Sequence, residues 1–327
     1  KEYINNFLNN FKVKEGDDII YSGSDSNIHV TFPFNNDDKI FSSQIKDLDY
    51  FKFYSDLWNH YLNGGDYWLS ERQYSNGIKE SGIRIDFDAY QKDDISKLDS
   101  HFLMFLVKKL IKTIYKYINI SEGYETYCAI LKNSQPYYVD DKKLYKEGFH
   151  IILPGIKLNT ETKIFIINQY SDLIQQSFVI KGYENTPVID ELSSSVPIEI
   201  YGTIRKGKNQ SHKLTNLYNI KFNQKYHIIE LNQDFYKYKR RENKIPAHSH
   251  FNIALELSVH YDGQLIKKSI FEVRENSQNL INSNYGLFIK KIENDSEIIE
   301  RTVNNLIEND YKAAELFSYI GILNKSR

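Results

Sequence analysis

The segment 82–90 reads Gly-Ile-Arg-Ile-Asp-Phe-Asp-Ala-Tyr, and its alternation of apolar and polar residues strongly constrains the fold of the chain. In a β-strand, successive side chains point to opposite faces. One face would carry the apolar residues Ile83, Ile85 and Phe87, and the other the polar residues Arg84, Asp86 and Asp88. Neighbouring carboxylates repel each other and need positive charge nearby, commonly one or two divalent metal ions. The alternative is a half-buried edge strand whose polar face is only wet.

Composition narrows the class of protein. The single cysteine, Cys128, excludes an intramolecular disulfide and any cysteine-based zinc or iron–sulfur site in this chain. It also fits a reducing, intracellular setting. No run approaches the roughly 18 apolar residues of a membrane span, and the chain does not begin with a signal-like segment. We therefore expect an intracellular protein that does not act in a membrane.

The net charge does not indicate a nucleic-acid partner, but local charge does. The formal net charge of the 327 residues is −1. Basic residues nevertheless cluster in two places, where they could contact a polyanion. The clusters are Arg205, Lys206, Lys208 and Lys213, and then Lys237, Lys239, Arg240, Arg241 and Lys244.

Hydrophobic periodicity predicts strands alternating with helices after the opening segment. Helical spacing runs from Ile95 to Ile118 and over 161–178, and short apolar runs of strand length occupy Tyr127–Leu131, Phe149–Leu153, Pro187–Asp190 and Ile198–Ile204. This β-α-β-β-α-β order predicts an α/β sheet with helices packed against it. Beyond about residue 245 the pattern is mainly helical, most clearly at Phe251–His260, Ser296–Leu306 and Tyr311–Ile320. We divide the chain into residues 1–80, 81–244 and 245–327.

Two further strand-borne features accompany Asp86 and Asp88. His150 follows Gly148-Phe149, and Asp190 follows Val188-Ile189. Each has a simpler interpretation, since a histidine in an apolar strand is usually a hydrogen-bonded structural residue and Asp190 could cap the following turn. The basic run that begins at Arg205 could likewise be a solvated turn.

Together these features would support phosphoryl transfer. Three carboxylates on neighbouring strands can hold two metal ions about 3.5–4 Å apart, which activate a hydroxyl and stabilise a leaving pyrophosphate. The incoming triphosphate needs hydrogen-bonding or positive groups, and Gly202 permits close approach of the backbone. The candidates are His150, Thr203, Arg205 and Lys206.

The order of the motifs resembles that of the archaeo-eukaryotic primase superfamily, the primase-polymerases. The similarity covers about residues 82–215, and it is greatest to the N-terminal primase module of the helicase-primases of poxviruses and other nucleocytoplasmic large DNA viruses. The composition, rich in Asn, Ile, Lys and Tyr, also suits a giant virus. We expect an intracellular location, either at a cytoplasmic site of viral replication or in the nucleus.

The resemblance implies specific roles for residues of this chain. Asp86, Asp88 and Asp190 would be the catalytic ligands of two Mg²⁺ or Mn²⁺ ions, and His150 would contact the phosphates of the nucleotide. Many relatives carry Ser at the position of Gly148, and its hydroxyl would contact a phosphate. In this chain that contact would be lost, or supplied by Lys146 or a backbone amide. The resemblance also implies a nucleotide contact from Arg205 or Lys206.

Residue type and local charge add further candidates. Thr203 could contact the nucleotide and Tyr201 its sugar, and the template contacts would be Lys208, Lys213, Lys239, Arg240 and Arg241.

The same resemblance implies an α+β (α/β) primase-polymerase core. An α/β module would pack on a module like an RNA-recognition (RRM) fold, with the cleft between them and a small helical domain after them. The partners would be a single-stranded DNA template, NTP or dNTP, and a helicase domain in cis or in trans. The chain lacks the G-x-x-x-x-G-K-[ST] loop of an ATPase motor and would be the primase part alone.

Our leading hypothesis is a DNA primase, a template-directed and metal-dependent nucleotidyltransferase. The alternatives are a metal-dependent nuclease or relaxase-type replication initiator and a non-catalytic DNA-binding replication scaffold. A relaxase would need a Tyr nucleophile or a His-hydrophobic-His pair, and the nearest pattern is His248-Ser249-His250, away from the strand framework. The three acids argue against a scaffold, because a purely structural protein has no need for carboxylates that repel each other.

Overall fold

A computed structural model describes most of the region that carries the predicted motifs. The described residues are 28–33, 40–45, 47–62, 70–71, 80–133, 135–184, 189, 198–202, 212–231, 253–258, 271–287 and 289–290. The chain divides into two compact units, residues 1–275 and 276–327. Our predicted boundaries at residues 80 and 244 stay predictions.

Strands and helices alternate along the first unit. The elements up to residue 132 are β1 (Ile28–Pro33), β2 (Ile40–Ile45), α1 (Asp47–Leu62), β3 (Ser70–Glu71), β4 (Ser81–Gln91), α2 (Ser100–Tyr117), β5 (Ile118–Asn119) and β6 (Tyr124–Lys132). They are followed by β7 (Tyr137–Val139), β8 (Leu144–Leu158), α3 (Thr160–Lys181), β9 (Ile198–Glu199), β10 (Lys213–Phe222), β11 (Tyr226–Glu230), α4 (Ile253–Glu256) and β12 (Glu272–Val273). A short 3₁₀ turn follows at Glu275–Ser277, and the second unit contains a helix over 278–287.

The main sheet is antiparallel. Its strand order is β11-β10-β6-β8-β4, and β7 pairs with β8. A second sheet has the order β2-β1-β3-β9, and β12 pairs with β5. The order β4-α2-β6-β8-α3 confirms the first five elements of the predicted succession and gives a mixed α/β protein built on an antiparallel sheet. Of the predicted strand Ile198–Ile204, only 198–199 are a strand, and 201–202 form a turn.

Strand β4 confirms the predicted alternation on its apolar side. Ile83 and Ile85 are fully buried, and Phe87 is 1% exposed. Asp86 and Asp88 are partly exposed on the other side. One difference from the expectation is Arg84, which shares the face of the two acids and yet is buried.

Specific caps determine where the two helices that flank the sheet begin and end. The Asp99 side chain accepts a hydrogen bond from the Phe102 N–H at 2.8 Å, so α2 starts at Ser100 and not at Ile95. The side chain of Asn159 caps α3 in the same way. Gly182, with φ 92°, ends α3 in the left-handed conformation that favours glycine. The predicted helices over 95–118 and 161–178 therefore occupy 100–117 and 160–181.

An aromatic cluster fills the core between the sheet and these helices. The rings of Phe87 and Phe149 stack with their centroids 4.3 Å apart, and Phe178 of α3 lies 6.1 Å from Phe87. The Tyr170 hydroxyl donates to the Leu106 carbonyl at 3.1 Å and so joins α3 to α2. The apolar face of β4 and β8 is therefore covered, and the side chains at alternate positions occupy the opposite face.

A buried lysine of α3 contacts the first residue of β4. Lys163 of α3 is 1% exposed, and its Nζ donates to Ser81 Oγ at 2.8 Å. Burial, together with the charge of Lys157, lowers the pKa of Lys163 from 10.5 to about 7. Near neutral pH the Lys163 side chain is only partly protonated in the folded protein, whereas it is fully protonated in the unfolded chain.

We expect Lys163→Met to raise the free energy of unfolding at pH 7 by about 1–3 kcal/mol, because it replaces a buried cation with an apolar chain. Unfolding of the wild type takes up a proton between pH 7 and about 10.4, so wild-type stability rises across that window. The advantage of Met should therefore shrink as the pH is raised from 7 to 10. Urea denaturation at several pH values measures the difference in free energy of unfolding between variant and wild type. Lys112→Met, at an exposed position, is the control. An advantage that stays constant over this window would contradict the prediction.

None of the described helices is long and apolar enough to cross a membrane. The predicted helices at Ser296–Leu306 and Tyr311–Ile320 lie outside the described residues.

Candidate active site

The register between β4 and β8 brings two predicted motifs together. Asp86 lies opposite His150, and Asp88 lies opposite Gly148. Directly opposite residues of neighbouring strands share a face of the sheet, and here it is the face away from the aromatic core. We call it the site face. It combines residues that are far apart in sequence into one polar surface.

Arg84 connects the parts of this surface. Its Nε donates to Asp86 Oδ1 at 3.0 Å, and its Nη2 lies 3.0 Å from His150 Nδ1. Its Nη1 donates to the carbonyl oxygen of Glu199 in β9 at 3.2 Å. The guanidinium group is almost fully buried, so its charge is balanced by Asp86 rather than by water.

His150 is buried and hydrogen-bonded at both ring nitrogens. Its Nε2 lies 3.1 Å from Asp86 Oδ1. Arg84 can only donate, and its Nη2 lies 3.0 Å from Nδ1 and 3.3 Å from Nε2 of the ring. The tautomer that accepts from Arg84 at Nδ1 can also donate from Nε2 to Asp86, so we assign the proton to Nε2. Burial, and then the charges of Arg84, His212 and Lys146, lower the pKa of His150 well below its usual value. The imidazole is therefore neutral near pH 7.

A second histidine packs against the first. The ring of His212, just before β10, lies 3.9 Å from that of His150, centroid to centroid. Burial, with the charge of Arg84, lowers the pKa of His212 to about 4. Both histidines are therefore neutral near pH 7, and the positive charge beside Asp86 comes from Arg84.

Asp88 has a different cationic partner. Lys146 Nζ contacts Asp88 Oδ2 at 2.6 Å. Burial alone would lower the pKa of Lys146, but the hydrogen bond and the charge of Asp88 outweigh burial and raise it. A side chain at Gly148 would meet its nearest neighbour, Asn133 Nδ2, at 3.6 Å, an ordinary contact. Lys146 therefore lies beside the acid that is opposite Gly148, and its predicted contact to phosphate stays a prediction.

A small cleft, open to solvent, lies in front of Arg84 and His150. The segment 198–202 forms one wall, where Gly202 has φ 88°, a backbone conformation that favours glycine. The Tyr201 hydroxyl accepts a long hydrogen bond, 3.5 Å, from the Leu214 N–H. The lining residues are Arg84, Leu131, His150, Glu199, Ile200, Tyr201, Gly202 and His212.

A buried acid, Glu147, lies on the opposite face of β8 and is 2% exposed. Its carboxylate receives donors from the segment after β4, from β6 and from the residues after α3. They are Ser96 Oγ, the Lys97 N–H at 3.2 Å, Lys132 Nζ at 3.3 Å and the Tyr183 hydroxyl at 2.6 Å. This network lies directly behind Lys146 and Gly148, so it holds that part of the site face in place.

The third predicted ligand lies outside the described residues. Asp190 is not described, but its neighbour Ile189 forms an antiparallel bridge with Phe87, between Asp86 and Asp88. The other predicted residues outside the description are Thr203, Arg205, Lys206, Lys208, Lys239, Arg240 and Arg241. Their roles stay predictions. Lys213 is exposed at the start of β10, opposite Lys132 of β6.

Arg84 and His212, the cleft residues whose side chains contact the His150 ring, were not among the sequence-based candidates. Arg84 had a signal, because it lies two residues before Asp86 on the same strand face. His212 had none, since it lies just before β10, and only the β10–β6–β8 pairing brings it to His150.

Chemically, the site face offers oxygen donors next to hydrogen-bond donors. Arg84 and His150 both contact Oδ1 of Asp86, and Lys146 contacts Oδ2 of Asp88. Among the described residues, Asp86 Oδ2 and Asp88 Oδ1 therefore remain for a hard cation. The described part of the chain contains no group of three His, Cys, Asp or Glu residues arranged to hold a metal ion. A complete site would need a further ligand.

A comparison with protein families identifies one match. The family model described as the C962R protein N-terminal AEP domain, where AEP denotes an archaeo-eukaryotic primase type, matches residues 34–218. That interval is more than half of the chain and contains every residue of the site face and the cleft named above. No curated protein matches the chain.

Proposed function

We propose that this chain, which belongs to the family of N-terminal archaeo-eukaryotic primase domains, is a template-directed nucleotidyltransferase that uses divalent metal ions to make primers on single-stranded DNA. A primase-type function in DNA replication follows from membership of the family. Direction by a template, metal dependence and the residues involved are what the proposal adds.

The observation that carries the proposal is the pair of acids on β4, each beside a cationic residue of the site face. The side chains of Asp86 and Asp88 are 32% and 44% exposed, so both can be reached from solvent. Arg84 and Lys146 offset their mutual repulsion. This arrangement places two carboxylates side by side on the site face, each with a cation beside it.

The donor set fits a hard divalent cation such as Mg²⁺ or Mn²⁺. Asp86 and Asp88 offer carboxylate oxygens, which these ions prefer, and neither neutral histidine is needed as a ligand. We assign Asp86 and Asp88 as ligands and Asp190 as the third, on the basis that Ile189 pairs with Phe87. When bound, such ions would activate the attacking hydroxyl and stabilise the leaving pyrophosphate.

The chain's own hydrogen-bond donors would bind and orient the nucleotide. Lys146 is a point charge suited to a phosphate oxygen. The three nitrogens of Arg84 are engaged with Asp86, Glu199 and His150 at the floor of the cleft. The Nε2 of His150 contacts Asp86, and a phosphate that binds His150 would take the place of this carboxylate contact. We propose Lys146 and His150 as phosphate contacts, with Arg84 as the residue that positions His150 and Asp86. Thr203, Tyr201 and either Arg205 or Lys206 complete the proposed nucleotide site.

The strand order supports our proposal of an RRM-like module. The succession β4-α2-β6-β8-α3 is followed by Ile189, which returns to pair with β4 in antiparallel orientation. This is the order of a split βαβ unit, in which the last strand lies beside the first. The proposal places the second module before β4 and a helical domain after residue 245.

We further propose a single-stranded DNA template, NTP or dNTP, and a helicase domain in cis or in trans as partners, in an intracellular viral replication system. Template contacts are assigned to Lys208, Lys213, Lys239, Arg240 and Arg241.

Primer extension with the purified chain tests the proposal. We expect incorporation on a single-stranded template only of the nucleotide complementary to the next template base, in the presence of Mg²⁺ or Mn²⁺, and loss of incorporation with EDTA. Permuting the template base should change the incorporated nucleotide correspondingly. Incorporation that ignores the template, or none in either metal, would contradict the proposal. Nicking of the template strand would favour the nuclease hypothesis instead.

A further inference from the structure

An exposed aromatic and basic surface continues the site face beyond Asp88. Strand β7 pairs with the first residues of β8, with Tyr137 opposite Lys146 and Tyr138 opposite Tyr145. Tyr137 therefore shares the face of Lys146, and Tyr138 points to the other face. Lys146 in turn contacts Asp88. One strand, β8, therefore lies between Tyr137 and the carboxylates of β4, and all are on the same side of the sheet.

The surface also contains a lysine that lies over the site face. Tyr90 of β4 is opposite Lys146, and Lys142 Nζ lies 3.9 Å from the centroid of the Tyr90 ring. This contact keeps an exposed ammonium group above the sheet. Tyr137 is 38% exposed, a large accessible aromatic ring at this edge. We call Tyr137, Lys142 and Lys146 the hairpin strip.

We propose that the hairpin strip binds a single-stranded nucleic acid that runs toward Asp88. The inference rests on the proposed function, since it assigns the strip to the template or primer strand of that reaction. An exposed aromatic ring next to lysines is the chemistry with which proteins bind single strands without reading their sequence. The ring stacks on a base, and the ammonium groups contact the phosphates.

Charge and position favour a single strand over other occupants. Asp140 and Asp141, both exposed at the hairpin turn, offset much of the basic charge nearby. A duplex, held mainly by many phosphate contacts, would gain little from so small a positive surface. A single strand can stack one of its bases on Tyr137, whereas the bases of a duplex are already stacked on each other and paired. Continuity with Asp88 through Lys146 explains why the strand would lie here.

The hairpin provides its own matched control. Tyr138, 50% exposed, belongs to the same short strand but faces away from the site. We expect Tyr137→Ala to weaken binding of a fluorescein-labelled oligothymidylate by about 5-fold or more, as one lost base stack implies. Tyr137→Phe, which keeps the ring, should bind within about 2-fold of the wild type, and so should Tyr138→Ala. Fluorescence anisotropy measures these affinities.

A second variant tests the phosphate contact. Lys142→Ala should weaken binding and reduce the slope of log K against log salt by about 0.7, as loss of one contact to a single strand predicts. Lys143→Ala, at the neighbouring exposed position, is the control and should change neither quantity. Circular dichroism melting of each variant confirms that the fold is retained.

The outcomes separate this inference from the proposed function. If the wild type extends primers and Tyr137→Ala binds the oligonucleotide as well as Tyr138→Ala does, the hairpin strip is wrong and the proposed function stands. If Tyr137→Ala alone loses binding in a protein that incorporates no nucleotide, the strip is right and the proposed function is wrong. Equal affinity for single-stranded and duplex DNA of the same length would also contradict the inference that the hairpin strip binds a single strand.

Discussion

Asp86→Asn and Asp88→Asn should each lower nucleotide incorporation by at least about 10³-fold. Asn keeps the size and one carbonyl oxygen of the side chain but removes the negative charge that would hold a divalent ion. Several kcal/mol of transition-state stabilisation then disappear, and each 1.36 kcal/mol is a factor of ten in rate. Single-turnover incorporation on a primed template measures the loss.

The two variants should differ in stability, because the cations beside the acids differ in burial. Arg84 is 5% exposed at its side chain, and Lys146 is 22% exposed. Asp86→Asn removes the charge that balances a buried guanidinium, so it should also lower the free energy of unfolding by about 1–2 kcal/mol. Asp88→Asn leaves an ammonium group that water can reach, and its stability should stay within about 0.5 kcal/mol of the wild type.

An acid elsewhere on the same unit serves as the control. Asp172 is exposed on α3, and Asp172→Asn should change neither incorporation nor stability. If Asp88→Asn kept more than a tenth of the wild-type rate, Asp88 would not be a metal ligand. The metal assignment would then have to be abandoned.

Phe87→Ala should lower the free energy of unfolding by about 3–5 kcal/mol, the usual cost of truncating a buried phenylalanine. The Phe87 ring is 1% exposed and contacts Phe149, Phe178 and Tyr170. Removing it would leave a cavity where the sheet meets α3. Urea denaturation measures the loss, and an unchanged m-value means that the shift in midpoint reports a change in stability.

Ile180→Ala is the matched control for this prediction. Ile180 is 79% exposed on the same helix as Phe178, and its truncation should change stability by no more than about 0.5 kcal/mol. A loss below about 1 kcal/mol for Phe87→Ala would contradict the close packing of the aromatic cluster.

Local pattern predicted much of the fold, because the periodicity of a strand or helix is written in neighbouring residues. The alternation at Ile83, Ile85 and Phe87 identified the core face of β4. The helix ends were less well predicted, although Asp99 and Gly182 are ordinary capping residues and could have located them. The very short strands β5 and β7 have too few residues for periodicity to detect.

The candidate site was only partly predictable, because its contacts join distant segments. Arg84 meets His150, 66 residues away, and the Glu199 carbonyl, 115 residues away. A period of two shows which face a residue occupies but does not fix which residue lies opposite. The pairing of Asp86 with His150, and the contact between Asp88 and Lys146, therefore required the register of β8 against β4.

The hydrogen bond from Arg84 to Glu199 has a consequence for defining the smallest functional fragment of this protein. Glu199 belongs to β9, and β9 is held by β3, which precedes the whole main sheet in the chain. A fragment that begins at β4 would keep both acids and His150 but lose the strand that supports the cleft wall. Truncation from the N-terminal side should therefore impair the cleft before it reaches any residue of the site face.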